Sequence, residues 1–569
     1  MKELFKRLLS RPFIAGETLM ATLFIAILNL GSPIFVINVL NRYVNYGFDG
    51  TLFTLTTGML IVIALQYGFR IARIRLIGTL TLTPDSDIHH RFIESLTRTR
   101  THIIDTIQQT KLREMAGSLN TAQAAYDPAG LTAVLDAPFS FLYLAAVYIL
   151  SPTLALVVFA GILVMVMSGM LSIYQTRHTQ NEINQLSMTH QHLVSSAIQG
   201  NDTVRAFNGT RLLTPLFSRQ IHALSHLRFT LSGKKERSQS VILAANLLMS
   251  VFLYAIGAYL VVRGELTVGA LIGANILGSR ACMNIVRLVQ TSYLLIKAET
   301  TLKELQNFST LPRENKSGTA LSHYSGRLEF KDVSFSYPGS SGPLFESLNL
   351  SLAPGAILVV TGKNGTGKTT LARLVTGLLP PSRGEIQVDD IHLTQIALPW
   401  WRQQLVYVPQ EPVFFNVSIR DNITLLGQDI DDKRLNQVLH AADLKSFIDQ
   451  SPAGVDTVLT EGGRRLPLGI RKRIAIARAL VSQGRIIVFD DPTEGLDMDG
   501  IKAVYALLNR LSQQGGTIIV MSYDPNIIRA GTIVLNLDKK PVPELKIIDK
   551  HPPHGTVAHT KSEKDKKNG

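Results

Sequence analysis

Apolar residues are unevenly spread along this chain. Six long apolar stretches fall in its first half: Phe13–Val39, Leu52–Phe69, Leu131–Leu150, Leu154–Ile173, Val241–Val262 and Val268–Val286. About 20 mostly apolar residues carry a helix across the hydrocarbon core of a bilayer. The spacing therefore predicts six transmembrane helices. The third and fourth part at Ser151-Pro152, and the sixth is interrupted by Asn275, Ser279 and Arg280. Connections alternate in length. Asn41–Gly50, Ser151-Pro152 and Arg263–Thr267 are short, whereas Arg70–Gly130 and Tyr174–Ser240 are long, charged and helically patterned. The long connections are expected to prolong membrane helices as rods into the cytoplasm. Short helices near Lys111–Ala124 and Phe207–Ser218 are expected to pass motion between the domains.

The pattern changes after Lys303. Thr310 to Ser325 is polar and holds Pro312, Asn315, Ser317 and Gly318, the composition of a linker. Beyond it, short β-rich runs (Leu328–Phe335, Ala356–Thr361, Ile486–Asp490, Thr517–Ser522) alternate with helical stretches. Such alternation predicts an α/β domain with a partly parallel sheet. The tail from His551 is polar and Lys-rich and is expected to be disordered.

Composition agrees with a lipid-embedded half. Of 569 residues, 46% are hydrophobic and only 18% charged. The net charge of +14 would also suit a nucleic-acid partner. Its placement argues otherwise: Lys2, Lys6, Arg7 and Arg11 precede the first apolar stretch, and Arg70, Arg73 and Arg75 follow the second. Cations flanking spans mark the cytoplasmic side, so both termini are expected in the cytoplasm, with lipid rather than nucleic acid as partner. The first stretch is too long for a cleavable signal and is expected to remain as an anchor. One cysteine, Cys282, excludes an intrachain disulfide and reads as a packing residue. Asp136 opens the third span. An acid there is either a functional group at membrane depth or an interfacial residue packed beside Pro138.

Chemistry concentrates in the second half. Gly362-Lys363-Asn364-Gly365-Thr366-Gly367-Lys368-Thr369 fits the phosphate loop G-x-x-x-x-G-K-[ST], entered from the apolar run Ile357–Val360 and left by a helix starting near Thr370. Glycines let backbone N–H groups turn toward phosphate, and the helix start adds partial positive charge. Lys368 would meet the β- and γ-phosphates and Thr369 a Mg²⁺ ion. Ile486–Asp490 is an apolar run ending in an acid, which suits a second Mg²⁺-linked group. Asp491 follows where a water-polarising base would stand. The expected fold class is thus a multi-domain membrane protein: an all-α six-helix transmembrane domain (1–309), a linker (310–325), an α/β P-loop nucleotide-binding domain (326–548) and a basic tail (549–569).

In order and content these motifs resemble ATP-binding-cassette exporters, and the resemblance covers nearly the whole chain. Tyr337 matches the aromatic that stacks on adenine, and Gln410 the Q-loop glutamine that links nucleotide to the membrane domain and helps hold Mg²⁺. Leu466–Leu480 resembles the signature segment, and Gly495-Leu496-Asp497 the D-loop. The resemblance implies ATP bound with Mg²⁺ by Tyr337, the loop Gly362–Thr369 and Thr370, with Thr369, Gln410 and Asp490 toward the metal. It also implies catalysis by Asp491 and Tyr523 with Gln410. Gly31–Val39 and Leu135–Phe139 look most like bacterial type I secretion exporters of the inner membrane. Those work with a second half-transporter, as a homodimer or a heterodimer, and with a membrane-fusion adaptor and an outer-membrane channel.

Three positions depart from the family pattern. Its signature L-S-G-G-Q reads Leu466-Pro467-Leu468-Gly469-Ile470 here, so a serine hydroxyl is lost at a helix start. The catalytic glutamate is Asp491, shorter by about 1.5 Å, and water positioning is sensitive on that scale. The switch histidine is Tyr523, a phenol without imidazole chemistry at neutral pH. Nucleotide binding is expected to persist and hydrolysis to be slow. Two readings follow: a working exporter subunit, or a regulatory ATP-binding half paired with a competent partner. The cargo stays open among polypeptide, lipid, peptide and drug.

Overall fold

The computed structural model describes residues 2–314, 317–340, 342–425 and 430–548. The expected disordered tail, 549–569, lies outside the described residues. The chain forms two compact units. One runs to Thr99 and resumes over Asp105–Leu311; the other combines Arg100–Ile104 with the chain from Pro312 onward.

The first unit is helical. Among the described residues, six helices are long and apolar enough to cross a membrane: Pro12–Tyr46, Asp49–Arg98, Pro128–Leu150, Pro152–Gln199, Thr210–Val262 and Val268–Ser309. At 1.5 Å per residue, Asp49–Arg98 is about 75 Å long, far beyond a bilayer core of about 30 Å. The rods expected from the long connections are therefore continuations of the spans. The expected outer connection Asn41–Gly50 contracts to Gly47-Phe48, because the first span winds on through a π-turn at Val39–Tyr43 and ends on Gly47 in a left-handed conformation. Much of the spans' apolar surface faces outward, including Phe53, Leu60, Phe141 and Leu156, as lipid contact requires.

Polar residues inside the spans bond across helices. Asn275 of the sixth span accepts from Ser250 Oγ at 2.6 Å and donates to Tyr254 at 3.2 Å. Asp136 is half-buried and pairs with Arg73 Nη1 at 2.5 Å. Arg73, read from sequence as a topological marker, thus holds the second span to the start of the third. Cys282 is buried beside Met249.

The second unit holds two sheets. Strands β1 (Leu328–Phe335), β2 (Phe345–Leu352), β4 (Arg383–Val388) and β5 (Ile391–His392) form an antiparallel sheet in the order β2-β1-β4-β5. The larger sheet runs β10-β9-β3-β8-β7-β6, from β3 (Ile357–Thr361), β6 (Leu405–Val408), β7 (Ile486–Asp490), β8 (Thr517–Met521), β9 (Ile533–Asn536) and β10 (Glu544–Ile547). Its central pairings are parallel, in the registers Ile357↔Ile518, Asp490↔Met521 and Val408↔Phe489. Burial on both faces explains why these strands are continuous apolar runs. One core, with Phe330, Phe345 and Trp401, includes residues of both sheets; a second, with Phe489, Ile474 and Leu507, involves the larger sheet and helices.

The stretch read as a linker is docked on the second unit in part. Glu314 accepts two bonds from the Arg402 guanidinium, at 2.9 and 2.8 Å, and Ser325 Oγ donates to Asp389 at 2.6 Å. Polar composition signals a linker and also a segment bonded through its side chains; only the partners tell them apart. The short helix grouped in part with this unit is Thr101–Thr106, ahead of the expected Lys111–Ala124, which lies in Gln109–Ala125 of the first unit.

Candidate nucleotide site

Strand order places the site. Strands β3, β8, β7 and β6 are adjacent and parallel, so their carboxyl ends share one edge. The phosphate loop leaves β3, Tyr523 follows β8, Asp490 and Asp491 close β7, and Gln410 follows β6. Four motifs scattered over more than 150 residues thereby converge at the sheet edge where α/β folds bind ligands.

The loop is built for phosphate. Gly365 and Gly367 have φ of 82° and 111°, a region that favours glycine. A side chain at Gly367 would also strike Leu344. The helix Lys368–Val375 starts at Gly367 with no side-chain cap, so its first N–H groups stay available. Lys368 is buried and donates to the Gly362 carbonyl at 2.8 Å. Its ammonium also lies 3.8 Å from Asp491 and 4.4 Å above the Tyr523 ring. Lys363 N–H donates to Asp538 at 2.8 Å, and Thr366 Oγ to the Lys363 carbonyl. Tyr337 presents its hydroxyl 3.0 Å from Thr370 Oγ, which fixes the ring at the loop helix.

Asp490 is fully buried, and neither carboxylate oxygen has a hydrogen-bond partner among the described residues. Thr369 faces it without completing a bond of good geometry. Burial pushes the Asp490 carboxyl above the ordinary carboxylate range, and Thr369 and Lys368 partly offset that. An uncompensated buried acid is costly. A cation would remove that cost, so Thr369 and Asp490 fit a Mg²⁺ site completed by nucleotide phosphates. Burial also raises Asp491, and Lys368 opposes it.

The signature segment forms the helix Leu468–Val481 behind Pro467, again with no side-chain cap. The first helical N–H groups of such a helix have no intrahelical partner. Pro467 therefore removes the serine hydroxyl but spares the backbone donors of Leu468, Gly469 and Ile470. Leu468 leans on Gly495 of the D-loop, where an added Cβ would collide with it.

Sequence reasoning missed two neighbours. Lys472 is fully buried and donates to the Asp491 carbonyl at 2.7 Å. Burial lowers its pKa, while Glu494, Asp491 and Asp490 counter the effect. Glu494 accepts from Gln410 Nε2 at 3.1 Å, so the Q-loop amide is engaged by an acid one turn beyond Asp491. Two charges in and beside recognised motifs were the available signal.

Known proteins match both halves of the chain. The family model for the ABC transporter matches residues 345–494, and that for the ABC transporter transmembrane region matches 16–279. The leukotoxin export ATP-binding protein LtxB of Aggregatibacter actinomycetemcomitans is 25% identical over 92% of this chain and 74% of its own. The alpha-hemolysin translocation ATP-binding protein HlyB of Escherichia coli is 25% identical over 93% and 75%. A bacterial Atm1-family ABC exporter solved with ATP bound shares the fold, with a TM-score of 0.82 at 18% identity over 93% of this chain and 94% of that one. Six spans, a phosphate site at the edge of a parallel sheet and family matches in both halves agree: the chain belongs to the ABC transporter family, as an ATP-binding, ATP-hydrolysing exporter subunit with a multi-pass membrane domain.

Proposed function

We propose that this chain dimerises and drives a polypeptide across the bacterial inner membrane by type I secretion, together with a membrane-fusion adaptor and an outer-membrane channel. The supporting observation is the joining, in one chain, of six spans to an open phosphate site at the carboxyl ends of β3, β6, β7 and β8. The relatives aligned over nine-tenths of the chain are named for toxin translocation. That pattern disfavours a purely regulatory ATP-occupying half.

The Lys368 ammonium and the N–H groups of Asn364, Gly365, Gly367, Lys368 and Thr369 hold the β- and γ-phosphates of ATP. Thr370 and Tyr337 border them at the nucleoside end. Thr369 and Asp490, with Gln410 nearby, hold Mg²⁺, which when bound neutralises phosphate charge. The carboxylate of Asp491 orients water and takes its proton. The Tyr523 hydroxyl donates toward the γ-phosphate, and the Lys472 bond fixes the Asp491 backbone. In the dimer, the N–H groups opening Leu468–Val481 cap the γ-phosphate held by the second subunit. A shorter acid, a phenol and a missing hydroxyl make the intrinsic turnover slow.

The test is secretion in the native host. Deletion of the chain should retain a specific polypeptide in the cytoplasm, and Lys368→Ala should do the same. An unchanged secreted proteome with altered lipid or drug efflux would refute the polypeptide reading.

A further inference from the structure

The first unit carries cations at membrane depth that the ATPase mechanism does not use. Pro33 has no N–H, so the Asn29 carbonyl of the first span loses its helical donor. The Arg280 guanidinium, on the sixth span, donates to that carbonyl. From Val268 to Arg280 the helix rises about 18 Å, placing Arg280 near the middle of a core about 30 Å thick. The Asn29 side chain is bonded too, accepting from Gln66 at 2.6 Å and donating to Tyr143 at 3.0 Å.

The charges here do not balance. Asp136, the acid of this cluster, is already paired with Arg73. Arg70 is exposed, lies within Coulombic range of Arg280 and makes no hydrogen bond or ion pair among the described residues. Arg287 recurs one heptad after Arg280 on the same helix face, exposed and likewise without a bond. Arg70 and Arg280 thus stand without an acidic partner among the described residues where lipid would make them costly, and Arg287, about 28 Å along the helix from Val268, stands on the same face at the cytoplasmic mouth. A water-filled, anion-seeking path accommodates them; a lipid-facing surface does not.

We propose that Arg70, Arg280 and Arg287 form a binding strip for carboxylate side chains of the transported polypeptide, so that acidic segments are the preferred cargo. This rests on the polypeptide-export reading above. Guanidinium pairs carboxylate through directed, charge-assisted bonds, and a low-dielectric surround strengthens them. The strip recognises charge rather than sequence, as a path for an extended chain must.

The test uses the full chain in phosphatidylcholine discs, whose headgroups add no net charge. A fluorescent oligoglutamate peptide is titrated against an oligoglutamine peptide of equal length. Oligoglutamate should bind about tenfold tighter, the size of one charge-assisted bond. Arg70→Gln should weaken it severalfold, and the triple Arg→Gln variant should abolish the preference. Arg70 makes no bond, so its substitution removes charge without removing a structural contact. Arg280→Lys keeps a donor for Asn29 and should retain the preference, which separates charge from packing. Unchanged ATP affinity confirms that each variant is folded. Equal binding of the two peptides overturns the proposal and leaves polypeptide export standing. Preferential oligoglutamate binding that survives the triple variant also overturns it. Binding of neither peptide overturns it as well, and the secretion experiment then decides the export reading separately.

Discussion

Two helix starts in the nucleotide unit make the most useful comparison. Among its described helices of eight residues or more, Asp432–Ala441 and Met498–Gln513 are capped by Asp431 and Asp497, each accepting a backbone N–H. Lys368–Val375 and Leu468–Val481 have no side-chain cap. A capped start satisfies its donors internally, whereas an open start keeps them for a ligand. The first open start is held by glycine, with a buried lysine and an orphaned acid nearby. The second is held by proline, with leucine turned onto the D-loop. The loop side keeps its lysine and open backbone donors, with the shorter Asp491 and the phenol of Tyr523 beside them; the signature side keeps backbone donors without a serine hydroxyl. Groups placed to bind phosphate and groups placed to activate water therefore occupy separable positions within one unit.

Lys368→Ala carries the largest consequence. It removes the buried cation of the loop side, and ATP affinity should fall by about hundredfold, or about 3 kcal/mol. Titration of a fluorescent nucleotide into the purified chain reads it. Retained affinity would mean that phosphate is not held at this helix start.

The positions that depart from the family pattern on both sides should give a smaller change of opposite sign. Pro467→Ser with Leu468→Gly restores the hydroxyl and frees the approach to the donors. Asp491→Glu with Tyr523→His restores reach and the imidazole. Each pair should raise steady-state ATPase in lipid by about tenfold, or about 1.4 kcal/mol of barrier. Their effects need not add, because these groups act on one transition state. A wild type already turning over fast, and unimproved by either pair, would show that none of the four substitutions slows hydrolysis.

The smallest expected effect concerns stability. Burial raises the Asp490 pKa in the folded chain, so its ionised form destabilises the nucleotide-free fold as pH rises through that value. Asp490→Asn should therefore stabilise the nucleotide-free protein at neutral pH by about 1 kcal/mol. The gain should fade on acidification, once the wild-type carboxyl is protonated, while Mg²⁺-dependent ATPase is lost. Thermal midpoints at neutral and acidic pH measure it. A destabilised variant at neutral pH would mean that Asp490 already has a compensating partner.

Much of the candidate site could be read before the fold, because its parts sit in local motifs. Gly362–Thr369 and Ile486–Asp490 each carry their chemistry within a few residues, and six apolar stretches were long enough to announce six spans. Lys472 and Glu494 were missed because their meaning lies in distant partners. A lysine on a helix is ordinarily solvated; this one is buried because Leu468–Val481 sets it beneath the Asp491 carbonyl.

The division into a lipid half and an α/β half is legible along the chain, since burial against lipid or in a parallel sheet demands characteristic runs of apolar residues. So is the candidate phosphate loop, since glycine and lysine spacing is a short-range property of the backbone. Which polar groups are paired is set by the packing of one element against another. Pro33 opens a carbonyl on one helix, and only the packing of another helix sets Arg280 against it. Arg73 reads as a cytoplasmic marker until Asp136 lies beside it, and Arg70 becomes informative only when it is found to lack such a partner. Charge compensation depends on distance through space, and a linear chain does not state that distance.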